Sequence, residues 1–320
     1  MLCLQRSRRY AATIRINWHP LASTRRCISS NTVSDSFAHC KGLVQKHDYE
    51  SFLVSHFFPE PLQDTFFALK AFNVDLALVQ DTVSNPTIGQ MRMQFWRDIV
   101  KSLHSENIAD IPHHPVALAL WEASKQFHLP AYYLRKIVDA RDAELLTPVH
   151  MTVDSLTQHA EATASSMHYL LLSALGLSSS EALSHAASHL GVAQTIAILL
   201  RALPFHAKHG RMVIPAEITA KHRVQQEDVF RNGPRARGID DAVFEFATVA
   251  NEHLLTARSM FEGGKVSPAV ASPVFLAGVP VARYLERLEK ANFDAFDPKL
   301  QVKDWILPWR VWSGYYRRSF

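Results

Sequence analysis

The chain has 320 residues, 48% of them hydrophobic and 20% charged, with only 11 glycines, which is enough apolar material for one large buried core. The formal charge of +4 belongs to the N-terminus: six arginines and no acid precede Asp35, and beyond them 28 basic residues face 30 acidic ones, so no nucleic-acid partner is expected. Cys3, Cys27 and Cys40 all lie near the N-terminus, which excludes a disulfide framework or a cysteine zinc site in the rest of the chain.

Residues 1–33 carry arginines at 6, 8, 9, 15, 25 and 26 among Ser, Thr and small apolar residues, with no Asp, Glu or Lys. That is the composition of a mitochondrial transit peptide, and Arg26-Cys27-Ile28-Ser29-Ser30 offers a processing site. Further on, apolar residues recur at intervals of three and four. Phe66, Leu69, Phe72, Leu76 and Val79 make one helical stripe, and Leu190, Ala193, Ile196, Ala197 and Leu200 make another. Breakers separate such stretches: Pro59-Glu60-Pro61, Asn85-Pro86, residues 111–115, Leu146-Thr147-Pro148, residues 178–180 and residues 230–234. Alternating β-branched runs are scarce and no repeat occurs, so residues 34–320 are expected to form one all-α domain.

From about residue 303 the chain mixes aromatics with arginines, in Trp305, Trp309, Arg310, Trp312, Tyr315, Tyr316, Arg317 and Arg318. That is the composition of an interfacial membrane anchor, and the competing reading is a tail that packs its tryptophans back onto the bundle. The best apolar run, residues 266–282, is interrupted by Pro268, Pro273 and Pro280, so no membrane-spanning helix is expected.

Seventeen histidines invite a metal site. His185 and His189 are four apart, but Ala186-Ala187-Ser188 between them lacks the glutamate of the H-E-x-x-H motif. His113-His114 and the pair His206 and His209 have no carboxylate or cysteine at a recognisable spacing, so no metal or other cofactor is expected. A G-x-S-x-G elbow and a glycine-rich phosphate loop are both lacking.

Residues 190–206 begin Leu190-Gly191-Val192-Ala193-Gln194 and end Arg201-Ala202-Leu203-Pro204-Phe205-His206, and Gly210-Arg211 and Pro215 follow. This stretch resembles the second aspartate-rich helix of squalene and phytoene synthases, L-G-x-A-x-Q-x-x-N-x-x-R-D-x-x-x-D with a G-R-x-x-x-P turn. Ala202 and His206 stand where the two aspartates belong. Residues 68–81 resemble the first such helix, A-I-Y-A-F-C-R-x-x-D-x-x-x-D. On that register Asp81 matches the second aspartate, Ala77 replaces the first, and Val74 replaces an arginine that would face diphosphate. Asp75, six residues before Asp81, falls on a largely different helix face. The run Met91-Arg92-Met93-Gln94-Phe95-Trp96-Arg97-Asp98 resembles the R-L-Q-W-W-R-D helix of the phytoene synthase branch, and residues 139–145 sit where its E-G-x-x-x-D-L segment would.

The resemblance implies an isoprenoid-synthase-like helical bundle around a central cavity, with its metal site lost. Condensation of prenyl diphosphates needs Mg²⁺ to hold the departing diphosphate, and Mg²⁺ requires hard oxygen ligands. Alanine offers none, and an imidazole suits other metals better. The pattern of losses is similar to that of the family's mitochondrial branch of complex I assembly factors. It implies a scaffold on the matrix side of the inner membrane, in peripheral contact with it, whose partners are complex I subunits or assembly intermediates and which has room for an isoprenoid or lipid ligand. No residue is assigned a catalytic role. The alternative is a divergent prenyltransferase, in which Asp81, Arg92, Gln94, Arg201 and Arg211 line the diphosphate pocket and Glu144 and Glu161 substitute as metal ligands.

Overall fold

The computed structural model describes residues 30–320 except Ser84, and among them every regular element is helical. The proposed leader therefore lies, up to residue 29, outside the described residues. The first half contains α1 (Ser30–His47), α2 (Tyr49–Ser55), α3 (Glu60–Thr82), α4 (Pro86–Ser102), α5 (Pro115–Gln126) and α6 (Ala131–Leu146). In the middle, α7 (Val153–Ala160) runs through a π-helical turn, Glu161–Ser165, into α8 (Ser166–Ala174), and the long α9 (Glu181–Lys208) follows. The remainder comprises α10 (Ala216–Lys221), α11 (Gln226–Asn232), α12 (Ile239–Ser259), α13 (Ser272–Phe275), α14 (Gly278–Lys290), α15 (Pro298–Gln301) and α16 (Leu307–Arg317).

Local chemistry explains most of these boundaries. Asp48 caps α2 by accepting from the Ser51 amide at 3.1 Å. Asn85 caps α4 by accepting from the Thr87 amide at 2.9 Å, with Pro86 in the first turn, where its missing N–H is harmless. Ser180 caps α9 in the same way. Proline does not always break a helix here, because α9 continues through Pro204 to Lys208.

Packing follows from the stripes. Phe66, Leu69, Phe72 and Leu76 of α3 are buried and meet α1, α5 and α6, while α4 lies along α6. Leu190, Ala193, Ile196 and Leu200 of α9 are buried against α12, α14, α8 and the π-helical turn. Helix α9 is long and apolar enough to cross a membrane, the one described helix that is, yet it forms the centre of the folded core. Between the α3 side and the α9 side, bridged by α6 and the π-helical turn, a cavity remains.

One contact brings α9 this close. A Cβ at Gly191 would lie 2.2 Å from Ser165 Oγ and 2.5 Å from the Ser165 backbone nitrogen. Ser165 Oγ in turn donates to the Ser188 carbonyl at 2.9 Å, which ties the turn to α9. The C-terminal aromatics are placed differently from a back-packed tail. Helix α16 buries Leu307, Val311 and Gly314 toward α14 but leaves Trp309, Trp312 and Tyr316 outward, with Trp305 80% exposed just before it.

Gly191→Ala pushes a methyl into backbone that cannot step aside. It is expected to destabilise the fold by about 2–3 kcal/mol. The melting temperature, read by circular dichroism, should fall by roughly 5–10 °C; a variant melting with the wild type would mean that the two segments are not in contact.

Candidate functional site

The cavity holds about 310 Å³. Helix α3 contributes Lys70, Asn73, Ala77 and Asp81, and α6 contributes Arg141 and Glu144. Helix α9 adds Gln194, Thr195 and His206, and the segment after it adds Arg211. Leu156, Met167 and Met212 supply buried apolar wall. Lys70, Asn73 and Ala77 follow one another at three and four along α3, so a single helix face builds one side.

Both degenerate motifs therefore face one space. Asp81 is held by Arg211, whose Nη2 donates to Oδ1 at 2.8 Å, and both side chains remain partly exposed at the cavity margin. Ala77 offers the cavity a methyl. His206 lines the cavity, and its Nδ1 is buried without a partner. Burial lowers its pKa, and Arg211 pushes in the same direction, so the ring favours its neutral form. Ala202 lies on the same helix face, but its side chain does not reach the lining.

Other residues expected at the pocket stand elsewhere. Arg92 and Gln94 flank the buried Met93 and point away from the core. Arg92 donates to Thr82 Oγ1 at 2.9 Å, and Gln94 Nε2 donates to Asp98 Oδ1 at 2.9 Å on its own helix. It is Arg97 that ties α4 to α6, bonding Asp139 at 2.7 Å and Asp142 at 2.6 Å. Arg201, two turns beyond Gln194 on α9, does not line the cavity. It pairs with Glu50 of α2 instead. Glu161 is also outside the lining, since Tyr169 Oη donates to its Oε1 at 2.6 Å and Ser188 Oγ to its Oε2 at 2.7 Å. Asp75 faces His114 at 3.8 Å, on the other side of α3.

Glu144 does line the cavity, as the centre of a buried charged group. Arg141 Nη1 donates to it at 2.8 Å, and His159 Nε2 lies 3.7 Å away. Burial alone would raise the Glu144 carboxyl, but Arg141 and the neighbouring histidines outweigh it and hold the group below its ordinary value. His159 can help only as an imidazolium, and burial pushes its pKa down to about 4. At neutral pH Arg141 is therefore the counter-charge.

A magnesium cluster is what the motif resemblance implies here, and the donors present do not suit one. Ala77 and Ala202 have no ligand atom, Asp81 is engaged by Arg211, and Glu144 by Arg141. No three of His, Cys, Asp and Glu converge to hold an ion among the described residues. His189 meets His253 of α12, with the two Nδ1 atoms 2.8 Å apart, while the His185 ring stands edge-on to it at 6.4 Å.

Sequence reading did not single out Lys70, Asn73, Arg141 or His168. Lys70 carried a usable signal, a lone charge inside the apolar run from Phe66 to Phe72. His168 is 1% exposed, and burial pushes its pKa down to about 3.

A pH dependence follows from these rings. Folded His159 and His168 bind a proton less tightly than the ordinary imidazole does, so their contribution to stability is complete above pH 6.5 and is lost as pH falls toward about 4 and about 3. The melting temperature should drop between pH 7 and pH 4.5, and His159→Gln should flatten that slope; a wild-type melting temperature that holds steady or rises on acidification would contradict the assignment.

The chain matches the squalene/phytoene synthase family over residues 44–310. It is 39% identical over 303 residues to NADH dehydrogenase (ubiquinone) complex I, assembly factor 6 of Rattus norvegicus, covering 94% of this chain and 89% of that protein. For the Homo sapiens protein of the same name the values are 39% over 282 residues, 88% and 82%. The Drosophila melanogaster homolog is 36% identical over 286 residues, 88% and 84%. Among solved structures, a dehydrosqualene synthase superposes with a TM-score of 0.71 at 16% identity, over 88% of this chain and 96% of that one. A squalene synthase from Alicyclobacillus acidocaldarius does so with a TM-score of 0.70 at 16% identity, over 84% and 98%. At that identity the two structures speak for the fold, and the match along most of the sequence speaks for descent: the chain belongs to the squalene/phytoene synthase family.

Proposed function

We propose that this chain is a non-catalytic assembly factor for respiratory complex I, a family member that keeps the bundle and has given up the condensation chemistry. The observation that carries this reading is the state of the two aspartate positions in each motif: Ala77, Ala202 and His206 replace three carboxylates, and the fourth, Asp81, is bound to Arg211. A diphosphate could not ionise against that set, because nothing there gathers the cations that hold the departing charge. The names of the 36–39% identical relatives supply the alternative employment, assembly of NADH dehydrogenase complex I. The competing prenyltransferase reading loses support from Arg92, Gln94, Arg201 and Glu161, which do not line the cavity.

On this reading the protein works inside mitochondria. The arginine-rich, acid-free residues 1–33 serve as a transit peptide, and the rest acts at the matrix face of the inner membrane on a complex I subunit or assembly intermediate. Peripheral membrane contact is supported by α16. Its outward Trp309, Trp312 and Tyr316 recur at three and four, with Arg310 and Arg317 beside them, the pairing that suits an interface of acyl chains and anionic headgroups.

Blue-native gels of mitochondria from depleted cells, stained for NADH dehydrogenase activity, should show selective loss of complex I. Re-expression of the Asp81→Ala variant should restore it close to wild-type amounts. Normal complex I after depletion, or no rescue by a stably folded Asp81→Ala protein, would contradict the scaffold reading. Separately, replacing Trp309, Trp312 and Tyr316 by serine should weaken co-sedimentation with cardiolipin-containing vesicles by roughly tenfold without altering the circular dichroism spectrum; unchanged sedimentation would rule out this face as the contact.

A further inference from the structure

Lys70 is 5% exposed, in the middle of α3, between Leu69 and Ala71, which are fully buried. Burying an ammonium is costly unless a partner receives it. Among the described residues Lys70 has no ion pair and donates no hydrogen bond. Its nearest recorded interaction is with the Phe66 ring, whose centroid lies 5.7 Å from Nζ. Neither carboxylate whose charge it feels forms an ion pair with it: Glu50 is taken by Arg201, and Asp48, which also lines the cavity, accepts from the Ser51 amide with one oxygen. Burial accordingly lowers the Lys70 pKa despite them.

The other cations of the cavity are already matched: Arg141 by Glu144 and Arg211 by Asp81, each at 2.8 Å. Lys70 alone is left facing the space, and further unused polar groups stand beside it. Gln194 Oε1 is bonded to His168 Nε2 at 3.0 Å, so the Gln194 amide NH₂ is free to donate into the cavity. Asn73 lines the same face of α3 one turn on. Lys70 and Gln194 also border a smaller pocket that adjoins the cavity, away from Asp81 and Arg211. Eleven residues of α3 separate Lys70 from Asp81, an axial distance of about 16 Å. Leu156, Met167 and Met212 line the space with apolar surface. The volume of about 310 Å³ suits a single chain.

We propose that this cavity binds a single-chain anionic amphiphile, a carboxylate or a phosphate monoester, with its headgroup on Lys70, Gln194 and Asn73 and its chain directed toward Arg211, without a metal ion. The family pattern has a tyrosine where Lys70 stands, so the anchor is this chain's own departure from that pattern, and it places a positive charge in the cavity well away from the aspartate positions. A neutral amphiphile would leave the ammonium unpaired, whereas an anion gives it the charged acceptor it lacks. The proposal rests on the scaffold reading, in that it treats the cavity as a binding site with no turnover.

The test is a fluorescence titration of the purified protein with dansyl-undecanoic acid in EDTA at pH 7. Saturable, blue-shifted binding is expected. Dodecanoate or dodecyl phosphate should displace the probe, and dodecanol should do so about tenfold less well. Stronger competition by dodecanoate identifies a fatty acid as the natural class, and stronger competition by dodecyl phosphate a lipid phosphate; either supports the site. Lys70→Met should weaken binding about tenfold or more while the melting temperature holds or rises, because an unpaired buried charge has gone. No saturable binding, equal competition by dodecanol, loss of binding in EDTA, or Lys70→Met binding as tightly as the wild type would overturn the proposal. Should that variant not fold, the comparison of dodecanoate with dodecanol on the wild type still decides. A wild-type protein that restores complex I yet binds none of these probes would sink the ligand proposal and leave the assembly reading standing.

Discussion

Helix α9 can lie against the π-helical turn Glu161–Ser165 because position 191 carries no Cβ, and the cavity depends on that approach. The turn presents Thr163 and Ala164 to the space, and α9 presents Gln194, Thr195 and His206. Were the two segments held apart, the polar side chains of α9 would no longer oppose those of α3. The π-helical geometry contributes as well, since the extra residue in the turn lets Ser166 Oγ reach the Glu161 carbonyl at 3.0 Å, five residues back, while Ser165 reaches across to α9. A feature that looks like a packing detail thus decides where functional groups can meet.

Within that frame, charge balance tells the history of the pocket. A set of four carboxylates around bound cations is stable only while the cations are present. Here three of the carboxylate positions are apolar or imidazole, and the fourth is matched by Arg211, so the protein satisfies its own electrostatics at the cavity margin. Glu144 and Arg141 do the same on α6. Against these closed pairs Lys70 is the exception, and a charge left open inside an otherwise balanced pocket is better explained by something the pocket receives than by the stability of the empty fold.

Much of this was legible in the sequence, for reasons that can be named. The stripes at Phe66 to Val79 and Leu190 to Leu200 marked core faces because burial demands a helical period, and Asn85-Pro86 marked the end of the first motif helix because proline cannot continue one; its second role, as the capped start of α4, shows only in the structure. Ala77, Asp81, His206 and Arg211 of the two motif stretches line one space. Arg92, Gln94, Arg201 and Glu161 lie outside that space, because a motif gives position along a helix and leaves open which partner a long polar side chain will choose. Arg201 chose Glu50, some 150 residues earlier, and Glu161 found Tyr169 and Ser188. Lys70 is visible in the sequence as a lone charge inside an apolar run, and the three-dimensional arrangement adds that it is buried without an ion pair. The aromatics of α16 could have turned either way by composition, and their outward direction is set by the burial of Leu307, Val311 and Gly314.

The central claim, that the cavity no longer ionises diphosphates, is tested most directly by incubating the purified protein with farnesyl diphosphate and Mg²⁺ and measuring released diphosphate. Release should be no faster than in buffer alone, with no condensed hydrocarbon product. Catalytic release that depends on Mg²⁺ and disappears in Asp81→Ala would contradict it and return the protein to the enzymes of its family.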